Sequence, residues 1–181
     1  MLLVLLAPAS ATAAKRKQIE PEDLTNFLLS PQYSRWLVGP IAHMSTTDEV
    51  NGFLALERDE EAEAFIKEFW DRRGGEAVFP VRGLKVIFDE RVAEADKFFT
   101  EGTYRGSRTA RGTVLVLFGA PAEVSYELPP RSRQEAIEVW AYPEDAEPGL
   151  NGRTPDRVYR FIKVGDLTVF YRGPVSRQFR G

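Results

Sequence analysis

Arg105, Arg108 and Arg111 stand three residues apart around the stretch GSRTARGTVLVLFGAPAEV, which runs from Gly106 to Val124. Guanidinium groups spaced in this way can grip an anion or an acidic partner surface through charge-assisted hydrogen bonds. The neighbouring glycines raise a rival reading, a phosphate loop. A Walker loop needs Gly-Lys-Ser/Thr opening a helix, so that backbone N–H groups and the helix dipole meet the phosphate. No lysine follows here, and the glycines precede TVLVLFG, an apolar run that reads as a strand. A dinucleotide fingerprint fails on the same order of elements. The competing structural reading has Arg111-Gly112 merely turning the chain while the arginines pair with nearby carboxylates.

Trp140 and Tyr142 share one face of an expected strand with Glu138. Left open, these rings would form a platform for a peptide or a sugar; covered by helices, they would be core. His43 is the only histidine and the natural candidate to titrate near neutral pH. With no cysteine, and no serine in a nucleophile elbow, a catalytic triad has no support. The same counts leave no disulfide, no thiolate and no zinc site of the His/Cys type, and neither metal nor cofactor is expected. The 27 acidic residues lie mostly on helix positions that face solvent. A glycosidase-like pair would need two carboxylates facing each other at about 5 to 9 Å. The acids of PEDAEPGLNG lack the alternating spacing of a calcium loop.

The elements that must position these groups fit one domain. The chain has 181 residues, 43% of them hydrophobic and 12% aromatic, enough for a packed core. A net charge of -3 argues against a surface built for nucleic acid. The N-terminal MLLVLLAPASATAA, an apolar run followed by small residues, reads as a secretory signal, although no positive charge precedes the run. It is too short to serve as a transmembrane span. The expected layout is a signal over residues 1–14, a flexible lead-in over 15–28, a domain over 29–172 and a tail over 173–181.

Ser30-Pro31 can open a short helix through Leu37, ended by Gly39-Pro40. Thr46 and Glu49 form a capping box ahead of Val50, Phe53 and Leu54. In DEEAEAFIKEFWDRR, residues Ala62, Phe65, Ile66, Phe69 and Trp70 make one helical stripe, with acids in the first turn and Arg72-Arg73 in the last. GLKVIFDERVAEADKFFTEG repeats the pattern, with Gly102 as its C-cap. After Gly102 the period shortens. TVLVLFG, AEVSYEL, EAIEVWAY, RVYRFIK and LTVFYR read as strands, the last two joined by a type II′ turn at Gly165-Asp166. Gly119-Ala120-Pro121 is chain punctuation, and PEDAEPGLNGRTPD is a long, dispensable loop. Helices first and strands after predict an α+β fold, N-terminal helices on a mostly antiparallel C-terminal sheet of about five strands.

The order LSPQYSRWL, FIKEFWDRR, RVAEADKFF, GSRTARGTVLVLFGAPAEV, EVWAY resembles the GWxTD domain family of bacterial envelope or secreted proteins, across roughly Leu29 to Arg172. In that resemblance a Phe-Trp-x-x-Arg element falls on Phe69, Trp70 and Arg73. The naming motif falls on Gly106 to Ala110, followed by Arg111-Gly112, the apolar run and Gly119-x-Pro121. A late Trp-x-Tyr falls on Trp140 and Tyr142. Ser107 replaces the motif tryptophan and Ala110 its aspartate, so Gly106 and Thr109 survive; Arg73-Gly74-Gly75 stands where Arg-Asp-Pro is usual. The resemblance brings no established activity with it.

The expected function is that of an exported, non-enzymatic module that binds a protein partner at the envelope, through the sheet edge or through Arg105, Arg108 and Arg111. A hydrolase with sheet-borne carboxylates, or an accessory domain of a larger surface system, is the alternative. No nucleic-acid partner is expected, and no feature sets an oligomeric state.

Overall fold

The structure is a computed structural model and describes residues 21–74, 83–128 and 135–173. The expected signal segment, the start of the lead-in and the end of the tail lie outside the described residues. Five α-helices precede a four-stranded sheet: α1 (Pro40–Met44), α2 (Thr47–Leu54), α3 (Asp59–Gly74), α4 (Leu84–Phe98), α5 (Ala110–Phe118), then β1 (Glu123–Glu127), β2 (Ile137–Ala141), β3 (Val158–Val164) and β4 (Leu167–Phe170). The sheet order is β1-β2-β3-β4 and every pairing is antiparallel. This is the α+β class expected, with one strand fewer.

The missing strand is TVLVLFG, which is helix α5. Thr109 caps it, accepting a hydrogen bond from the Gly112 N–H, and Gly119 closes it at φ 80. An apolar run of this length fits a buried helix as well as a buried strand. Here the helix is hydrophobic all round because it is covered all round. Val114, Leu115, Val116 and Leu117 are each at most 4% exposed, and each such side chain contributes about 1.5–3 kcal/mol of burial. The last carbonyls of a buried helix need donors. Arg91 of α4 donates to Val116 and Leu117 (3.2 Å each), and the Leu150 N–H donates to Leu117 (2.8 Å). Leu150 itself is buried. The loop expected to be dispensable therefore seals the end of the central helix.

Around α5 the helices pack through aromatic rings. Trp36 meets Phe53 and Phe69 at 4.9 Å between centroids, and Trp70 continues the row to Phe88 at 5.0 Å. The stripe of α3 and the inward face of α4 lie as their periodicity predicts, with Phe69 and Ala95 fully buried. The capping box of Thr46 and Glu49 is formed. Four local expectations change. Residues 31–39 form a run of turns rather than a regular helix, and Gly39-Pro40 opens α1 instead of ending a helix. Gly102 sits in the turn bridged by Glu101 and Tyr104, while α4 is capped at Phe99. Leu24 and Asn26 are buried, Asn26 donating to the Phe53 and Leu56 carbonyls, so the packed body begins before Leu29. The β3–β4 turn has Gly165 at φ 61 and no non-glycine residue at positive φ, as a type II′ turn requires.

Both faces of β2 are shielded. Trp140 and Tyr142 face the helices and are 2% and 6% exposed. Ile137 and Val139 face the other way and are also buried. On that side Arg160 of β3 reaches Glu127 of β1 through two hydrogen bonds of 3.0 Å, bridging β2; its aliphatic stem shields apolar surface as such stems do.

Candidate functional site

The turn that carries the three arginines is locked by short polar contacts from α4. The Asp96 carboxylate accepts from the Ser107 N–H (2.8 Å) and from Arg105 Nε and Nη2 (3.0 and 2.5 Å). Burial pushes the Asp96 carboxyl up, but these donors outweigh it and hold it below its ordinary value. Thr100 accepts from the Gly106 N–H, and Thr109 donates to the Gly106 carbonyl at 2.7 Å. Gly106 lies directly against the backbone of Ala95 and Gly112 against the backbone of Gly106; a Cβ at either would collide with a carbonyl.

The three arginines part company. Arg105 is spent on Asp96. Arg108 donates to the Arg35 carbonyl at 3.2 Å, and burial and the Arg105 and Arg35 charges lower its pKa. Arg111 turns inward over the Phe99 ring and bridges two carboxylates, Glu101 at 2.5 Å and Glu138 at 3.0 Å. Glu101 also accepts from the Thr168 N–H at 2.6 Å, and Glu138 from the Trp140 indole at 2.7 Å. Burial works against the Glu101 charge, and Thr168 and Arg111 override it, keeping the group ionised. The glycines do precede a helix, so the order of elements no longer excludes a phosphate loop. Occupancy does, because the Thr109 hydroxyl and the Asp96 carboxylate already take the Gly112 and Ser107 N–H groups, and the lysine is still missing.

Trp140 and Tyr142 offer no open platform. Trp140 is wedged between Phe99 and Phe161 at 5.5 and 5.1 Å, and the Tyr142 hydroxyl donates to the Gly119 carbonyl at 2.7 Å. Burial, with Tyr159 beside it, pushes the Tyr142 hydroxyl up. His43, at the end of α1, has its pKa lowered by desolvation and by the Arg153 charge, which favours the neutral ring. Among the described residues no helix is long and apolar enough to cross a membrane.

Below the Arg111 node a cleft of about 650 Å³ opens between the end of α4 and the helix-side face of the sheet. Glu101, Glu135, Glu138, Asp166, Arg111 and Lys163 supply its charge, and Tyr126 and Phe161 its aromatic wall. Beside it, among the described residues, β1 pairs on one side only, with β2. Val124, Tyr126 and Leu128 on that edge are 49%, 68% and 84% exposed. Sequence reasoning missed this cleft because its residues come from six separate stretches; the alternation of AEVSYEL was the one readable part.

The GWxTD domain family model matches residues 25–151. The chain belongs to the GWxTD domain family. No solved structure matches the chain significantly. In this GWxTD domain the residues that carry the resemblance serve the fold. Gly106 permits the close crossing of α4, Thr109 starts α5, and Gly119 ends it. Arg73 holds Glu49 at 2.6 and 2.9 Å and the Met44 carbonyl at 2.9 Å, with its guanidinium 3.5 Å over the Phe69 ring. Ser107 is buried. Ala110 is the first residue of α5.

Proposed function

We propose that this GWxTD domain is an exported, non-enzymatic module that binds another protein at the bacterial cell envelope. The observation that carries the reading is the half-paired β1 strand, whose exposed apolar side chains stand beside a charged cleft. Natural sheets blunt or cover such edges, and an uncovered one suits strand addition by a partner. The apolar N-terminal run with its small residues supports export. The arginine turn supports the binding role less than the edge does, since Arg105 and Arg111 are engaged within the fold.

The hydrolase reading needs a carboxyl group held protonated as the acid. Glu101 is held the opposite way, and both Glu101 and Glu138 are bound to Arg111. The test is crosslinking of the tagged full chain in its own cells, followed by fractionation. Recovery outside the cytoplasm with one reproducible partner is expected. A cytoplasmic chain with no crosslinked partner would overturn the reading.

A further inference from the structure

Resting on that protein-binding reading, we propose that β1 accepts an extended partner segment as a fifth strand and that the adjoining cleft selects a lysine or arginine in that segment. An added strand lies about 4.8 Å beyond β1, hence roughly 10 Å from β2. Its helix-side residues fall beside Val124, Tyr126 and Leu128. Apolar side chains there cover Val124 and Leu128. The position beside Tyr126 opens on the cleft.

The charge of that cleft is lopsided. Glu101, Glu135, Glu138 and Asp166 face Arg111 and Lys163, and Arg111 is already shared between Glu101 and Glu138. Among the described lining residues the surplus is acidic, so an acidic segment is repelled and a basic one attracted. The gap from the added strand also selects for length. A lysine or arginine stem can run along the Tyr126 ring, gaining a cation–π contact, and deliver its charge among the carboxylates. A second copy of this chain is a poor occupant. Antiparallel pairing of two β1 strands centred on Ser125 sets each Glu123 opposite a Glu127, and like charges directly opposite destabilise a pair.

The test is selection of a displayed library of random ten-residue peptides on the folded full chain. Binding is read by fluorescence anisotropy and placement by amide shifts of Glu123–Glu127. Selected peptides are expected to alternate apolar residues and share one basic position. Replacing that residue with norleucine should weaken binding about tenfold. Glu135→Gln with Asp166→Asn should weaken the basic peptide comparably and leave the norleucine peptide unchanged, a coupling that a merely structural role would not produce. Peptides that dock on β1 equally well without a basic residue would overturn the cleft assignment and leave the protein-binding reading standing. A library without β1 binders, or a β1-mediated dimer in sedimentation, would overturn strand addition, and the crosslinking experiment then decides the broader reading by itself.

Discussion

Replacing Glu49 with glutamine removes one charge and keeps the helix cap that the residue serves, because glutamine also completes a capping box. What it breaks is the ion pair with Arg73, in which the two side chains are only 14% and 19% exposed. The Arg73 hydrogen bond, the largest of several causes, lowers the Glu49 carboxyl from 4.5 to about 2. At about 1.4 kcal/mol per pH unit that drop corresponds to about 3 kcal/mol, which solvent screening of the exposed rim, including Arg72, reduces to about 2 kcal/mol. The folded-state pKa is depressed, so this stability is fully present above pH 4.5 and is lost as pH falls toward 2. Urea unfolding followed by circular dichroism, with wild type and Glu49→Gln side by side, measures it. At neutral pH the variant should be less stable by about 2 kcal/mol, and by about pH 3 less than half of that gap should remain. Asp96 and Glu101 also lose stabilising charge in acid, but they do so in both proteins and cancel in the difference. A gap of the same size at both pH values, or none at neutral pH, would refute the linkage argument.

Other substitutions separate the roles of neighbouring residues. Arg111→Met strands Glu101 and Glu138 in the cleft and should cost about 2–4 kcal/mol in urea unfolding, whereas Arg105→Ala on the exposed turn should cost under about 1 kcal/mol. Gly106→Ala drives a methyl group into the Ala95 carbonyl and should lower stability by about 1–3 kcal/mol or more, read as a drop in Tm. Ala110→Asp, which places an aspartate at the first position of α5, should raise stability by about 0.3–1 kcal/mol through the helix dipole, and the gain should shrink as pH falls through the aspartate range. Arg91→Met removes donors from the Val116 and Leu117 carbonyls and should cost about 1–2 kcal/mol by the same assay.

Much of this fold is legible residue by residue. Thr46 and Glu49 announce α2 because a capping box is satisfied within four residues. The stripes of α3 and α4 announce themselves because a helix with one wet face must alternate at its own period. The alternation of RVYRFIK and LTVFYR around Gly165-Asp166 declares a hairpin for the same local reason. The candidate site was legible only in fragments. The arginine spacing was visible, but the partners of those arginines were not, since Asp96, Glu101 and Glu138 reach them from other elements.

The α+β class, the positions of the amphipathic helices, the hairpin and the family can all be read along the chain, because each rests on local periodicity, caps or motif residues. Tertiary structure alone decided the state of TVLVLFG. A run without a polar face carries no period, so only its surroundings, with Thr109 and Gly119 bracketing it, Arg91 and Leu150 meeting its carbonyls and apolar neighbours on every side, make it a helix. As a helix the run adds no strand to the sheet, and it carries Arg111 toward Glu101 and Glu138. Its caps, Thr109 and Gly119, are local signals, but an apolar run that suits strand and helix alike takes its state from the packing around it.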